Sequence, residues 1–155
     1  MAADVYSVAV TLPLEKAREI VRGALADGRR QGIMPLTVAV LDSGGHLVAM
    51  EREDGSGILR LQVAVGKAYG ALGIGLGSRT VGARNKGREH FLAALSDAAD
   101  GRCVPVPGGV LVLDSEKRII GAVGVSGDAS DADEAAALAG IKAAGLKAGI
   151  DPTED

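Results

Sequence analysis

Two apolar, β-branched runs, each doubling back at a short polar turn, constrain this chain more than anything else in it. Leu36 to Asp42 runs into Ser43-Gly44-Gly45 and returns as His46 to Glu51. Val110 to Leu113, introduced by Pro107-Gly108-Gly109, turns at Asp114-Ser115-Glu116-Lys117 and returns as Ile119 to Val125. Runs of this kind separated by glycine or aspartate turns read as β-hairpins. Hairpins pair antiparallel strands directly, without the crossover that a parallel sheet demands. Two of them make the centre of one small, mainly antiparallel sheet.

The remaining segments carry helical periodicity. Behind Pro13, which a first helical turn tolerates, Leu14, Ala17, Val21, Ala24, Leu25 and Gly28 share one face, and Gly32 and Pro35 end the segment. Ile58 to Leu72 repeats the pattern with Gly66 and Gly70 inside it. Each interior glycine costs about 1 kcal/mol relative to alanine, which close approach to another backbone would explain. Ser78 is expected to cap a further helix to about Ala98, interrupted by Gly82 and Gly87. Ser130, with Asp133 at the reciprocal position of a capping box, is expected to open a last helix along the alanine-rich run Ala132 to Ala148. Val5 to Val10 reads as a short extended arm and Pro152 to Asp155 as a polar tail. The order helix, hairpin, two helices, hairpin, helix gives an α+β domain with a sheet of about five strands flanked by helices. One domain is expected over residues 1–155, its core about 12–148.

Aromatic residues are only 2% of the chain, so the core must be aliphatic. The net charge is −3, and the densest basic stretch, Arg79, Arg84, Lys86 and Arg88, is broken by Glu89, which argues against nucleic acid as a partner. The single cysteine, Cys103, excludes an internal disulfide and a multi-cysteine metal site. No apolar run reaches the length of a membrane span and the N-terminus lacks the charged start of a signal peptide, so a soluble, cytoplasmic protein with no membrane partner is expected.

The candidate chemistry gathers around the turns. His46 follows the double glycine, where an imidazole could move a proton near neutral pH or ligate a metal, and Asp42 across the turn could fix its tautomer. The bland alternative makes Asp42 a turn cap and His46 a surface residue. Lys67, inside an apolar helix, needs a carboxylate if it points inward, and a ligand could supply it; otherwise it snorkels outward. Gly108, Gly109 and Gly127, with the N-terminus of the last helix, could cradle an anion or serve turn geometry alone. His46, Glu51 and Glu53, with Asp54, form a metal candidate set, or a solvated strand end. His90 reads as a packing or surface residue and Cys103 as inert.

The stretch Asp42–Gly55, the Gly66-Lys67-Ala68 triplet, Pro107–Val110 and Gly121–Gly127 together resemble the GlcG/HbpS-like family over about residues 12–148, in the family's order. That resemblance implies a profilin-like α+β domain that assembles into symmetric homo-oligomers and is also found fused to some corrinoid adenosyltransferases. It implies a small-molecule ligand: some members bind heme, others belong to catabolic operons for glycolate, diols or aromatics. The heme-binding members use a histidine on the N-terminal helix, and this chain has none between Pro13 and Gln31; a Glu-x-x-Glu iron pattern is also missing. Heme would then fall to His46 or His90. Three readings follow: a domain that binds heme, a corrinoid or a small organic acid, with His46, Lys67, Gly108 and Gly109 around a pocket; a small catabolic isomerase, tautomerase or hydrolase with His46 as acid/base, Asp42 orienting it and Lys67 or the glycine N–H groups stabilising an oxyanion or enolate; or a non-catalytic assembly protein.

Overall fold

The computed structural model describes residues 4–154. Helix α1 (Leu14–Gln31) leads into the hairpin β1 (Thr37–Asp42) and β2 (Leu47–Arg52). Helices α2 (Arg60–Ile74), α3 (Ser78–Arg84) and α4 (Glu89–Ala98) follow, then the second hairpin, β3 (Gly109–Leu113) and β4 (Ile119–Ser126). Helix α5 (Ser130–Ala143) and a short strand β5 (Lys147–Gly149) complete the described elements. The sheet has the order β2-β1-β4-β3-β5, and every pairing is antiparallel. The α+β arrangement expected from the two hairpins is the one observed.

Several boundaries differ from expectation, each for a local reason. The single helix expected from Ser78 to Ala98 is two, parted where Gly87 takes a left-handed φ of 82°. The last helix stops at Ala143, because Gly145 turns left-handed at φ 71°. The chain beyond it becomes the fifth strand, pairing Lys147 with Leu113 and Gly149 with Leu111. The arm at Val5 to Val10 joins no strand, and Val5, Tyr6, Val8 and Val10 stand exposed. Ser130 is the first residue of α5 and makes no cap; the extended Ala129 precedes it. Asp155, the end of the expected polar tail, lies outside the described residues.

Alternation along the strands divides the core. Val38 and Val40 of β1, Val110 and Val112 of β3, and Val123 and Val125 of β4 pack with α1 and α5. The intervening residues, Leu41, Leu111 and Ala122, face α2, with Ala68 and Ala71 opposite them. The α1–α5 side is filled by branched aliphatics, whereas the α2 side is nearly free of bulk. A Cβ added at Gly124 would lie 1.8 Å from the Ala64 carbonyl oxygen, and one at Gly109 would lie 2.3 Å from that of Lys67. Helix α2 therefore rests its own backbone on the sheet. The interior glycines of α2 repeat the device on its far side: Gly66 meets Val104 and Gly70 meets Cys103. This is why a helix so rich in small residues holds its place.

The close approach gives a contrast that can be measured. Gly124→Ala is expected to destabilise by about 3 kcal/mol or more, since the backbone it would meet cannot yield. Gly73→Ala, within α2 and with nothing inside 4 Å of the new methyl, is expected to stabilise by up to about 1 kcal/mol. Urea unfolding of both variants tests the pair, and equal effects would refute backbone contact as the cause.

Candidate functional site

Lys67 sits on the face of α2 that touches the sheet, where a full-length lysine has nowhere to reach solvent; only 2% of its side chain is accessible. Gly108, at φ 124°, leaves room for the ammonium: a Cβ there would lie 2.9 Å from Lys67 Nζ. Nζ donates to the Val125 carbonyl at 2.9 Å and to Asp133 Oδ2 at 3.0 Å. Asp133 is equally buried, and its Oδ1 accepts the Asp128 N–H at 2.9 Å. Burial holds the lysine below its ordinary value, against the opposing pull of Asp133.

The expected anion cradle is thus filled by the protein's own carboxylate. Asp133, not a ligand, meets Lys67 at the start of α5. The N–H of Gly109 is taken by Ser78 Oγ at 2.7 Å, and Ser78 itself donates to the Val106 carbonyl at 2.6 Å instead of capping a helix. Gly127 is pressed against the Pro35 carbonyl, 2.4 Å from where its Cβ would stand. Lys67, Gly108 and Gly109 are brought together, but as a closed internal knot.

The first hairpin turn is the open counterpart. Asp42 Oδ1 accepts the N–H groups of Gly44 at 2.9 Å and His46 at 3.0 Å, which fixes the turn. The same oxygen lies 3.2 Å from His46 Nδ1, and the imidazole is 81% exposed. The Asp42 carboxyl is subject to slight burial, which would raise it, but the two backbone donors and the neighbouring imidazole outweigh this and hold it below 3.8. Gly45, at φ 83°, lies flat against Tyr69, since a Cβ there would come within 2.6 Å of the ring. The Arg102 guanidinium covers the same ring at 3.9 Å from its centre. Ser43, Gly44, Gly45, Tyr69, Leu72 and Gly73 line a shallow hollow of about 140 Å³.

The pocket expected to unite His46 with Lys67 is therefore two separate arrangements, one solvated and one sealed. The metal set is not assembled either. Glu53 accepts the Leu36 N–H at 2.7 Å and pairs with Arg29 at 2.9 Å, whereas Glu51 points to solvent from β2. Among the described residues no cluster of three histidine, cysteine or acidic groups is placed to hold a metal ion. Cys103 is buried, which pushes its thiol up, and His90 is exposed on α4. Tyr69, Arg102 and Asp133 were not singled out as binding residues in the sequence; an inward lysine calling for a buried acid was the signal that could have found Asp133.

Comparison with known proteins places these features in a family. A family model described as haem degrading protein HbpS-like matches residues 12–142. No curated protein matches the sequence. Among solved structures, HbpS is 25% identical with a TM-score of 0.72, the alignment covering 92% of this chain and 97% of HbpS. The Klebsiella pneumoniae protein ORFY is 20% identical with a TM-score of 0.78, covering 94% and 97%. PduOC, solved as a complex with heme, is 20% identical with a TM-score of 0.72, covering 89% and 98%. At that identity the last two share the fold.

Two outcomes are expected from the site geometry. Lys67→Met strands the buried Asp133 carboxylate and should cost about 3–5 kcal/mol, while Lys67→Met with Asp133→Asn should cost clearly less than the two single losses together. Additive losses in urea unfolding would show that the pair is uncoupled. The depressed Asp42 carboxyl contributes stability that is complete above its unfolded value and is lost as pH falls through the folded one. Asp42→Asn should flatten the acid limb of a stability–pH curve, and an unchanged limb would count against the turn geometry.

Proposed function

We propose, since this chain belongs to the HbpS-like family, that it is a small-molecule-binding domain that holds heme through His46 and works as a homo-oligomer. One observation carries this reading: the Asp42 carboxylate lies against Nδ1 of His46, on an imidazole that is otherwise exposed. A carboxylate-oriented imidazole is the donor chemistry that haem iron takes from proteins, and the carboxylate sets both tautomer and basicity. The fit extends to the surroundings. Arg102, stacked on the Tyr69 ring beside this turn, offers a cation to the acidic side chains of the macrocycle. When bound, heme would supply an iron centre for redox or oxygen chemistry; the residues here would hold and orient it.

Size argues for more than one copy. Pockets that enclose drug-sized ligands run to about 300–1,000 Å³, whereas the hollow beside His46 has about 140 Å³. A macrocycle set against this turn stays largely uncovered by its own chain, and a second protomer is the cover that a symmetric oligomer provides. A corrinoid, another flat macrocycle, meets the same requirement. We keep with this reading a cytoplasmic location.

The same Asp42–His46 pair favours a second reading, acid–base catalysis on a small organic acid. Lys67 is engaged by Asp133 and cannot stabilise developing charge there, which ranks catalysis behind binding. Hemin titration followed by the Soret band is the test. Saturable binding is expected, lost in His46→Ala and weakened about 10-fold or more in Asp42→Asn. Undiminished binding by His46→Ala would overturn the assignment, and a monomeric mass by light scattering, with and without hemin, would overturn the oligomer.

A further inference from the structure

Helix α2 stops at Gly75, where φ is 80°, before it covers the ends of β3 and β4. The sheet face left bare there is apolar. Leu111, Leu113 and Ile119 from the second hairpin and Gly149 and Ile150 from the C-terminal segment line a cavity of about 190 Å³ that opens to solvent, with Lys117 also lining it. It shares no residue with the hollow beside His46. We infer that this cavity is a second ligand site, built for a small carboxylate with an apolar body.

The volume sets the body of the ligand. An aliphatic cavity of about 150 Å³ accepts benzene and stays dry without it. The hollow here, of about 190 Å³, has room for one aromatic ring or a short acyl chain. The charge sets its head group. Arg118 engages Asp114 at 2.9 Å and Glu116 at 3.3 Å, and Arg84 engages Asp151 at 2.7 Å. These pairs commit the carboxylates nearest the rim in sequence. Lys117 is left without a carboxylate partner among the described residues, and no acidic side chain lines the cavity.

The backbone at Lys117 is an independent observation. The turn is fixed by Asp114, whose Oδ1 accepts the N–H groups of Glu116 and Arg118 and whose carbonyl accepts that of Lys117. This holds Lys117 at φ 61°, a left-handed conformation in which glycine or asparagine is favoured. A lysine there sits against its backbone preference, and outliers of this kind cluster at functional sites. Lys117 is the one charged residue among those lining the hollow.

Sodium benzoate and benzamide, the same ring with and without the charge, are the probes, titrated against the full chain without heme. Methyl NMR should show benzoate moving the signals of Leu111, Leu113, Ile119 and Ile150. Lys117→Gly suits the backbone and folds at least as well as the parent. It should weaken benzoate about fivefold, the scale of a rim ion pair, and leave benzamide unchanged. Ile119→Trp, which fills the cavity from a half-buried position, should abolish both. Equal affinity for the two probes, benzoate binding indifferent to Lys117→Gly, or shifts confined to residues away from the cavity would each overturn the proposal.

Discussion

The buried Lys67–Asp133 pair ties the two halves of this fold together. Lys67 comes from the helix on one face of the sheet, and Asp133 from a helix whose core residues pack on the other face. They meet past the end of the strands, beside Gly108, where the Val125 carbonyl completes the ammonium's contacts. Two charges taken out of water need each other and well-placed hydrogen bonds to be tolerated. Here Asp133 also serves the Asp128 N–H at the entry to α5, so one carboxylate positions a helix start and an ammonium together. Such a pair works less as added stability than as a statement of which way the layers must be stacked.

What could be read in the sequence was whatever had a local cause. The two hairpins announced themselves through turns and β-branched runs, and with them the antiparallel sheet. The Asp42–His46 relation was legible because only three residues, Ser43, Gly44 and Gly45, lie between the partners and form the turn. The fifth strand was not: Lys147, Ala148 and Gly149 have no strand-forming character, and only the edge of β3 recruits them. Asp133 was visible as a capping residue, but its main partner lies 66 positions away and leaves no mark in the local pattern. Tyr69 and Arg102 escaped notice for the same reason, since the hairpin turn and the α4–β3 connection that flank them meet only in space.

The functional picture follows from where polarity is sealed and where it is left open. Among the described residues no buried side-chain nitrogen or oxygen lacks a hydrogen-bond partner. At the surface, one imidazole is oriented yet uncovered, and one lysine overlooks an apolar hollow. The family model that spans most of the chain and the solved structures that share its fold place this layered body in the HbpS-like family.

Helix α4 stands apart from this economy of contact. Not one of its residues is buried, although Phe91, Leu92 and Leu95 give it an apolar side. The layered body has no slack, because α2 lies on the strands main chain to main chain and α1 meets α5 the same way at Gly23 and Gly140. With no buried residue of its own, α4 is the element least held by these interlocked layers, and local opening of the fold is expected to begin there.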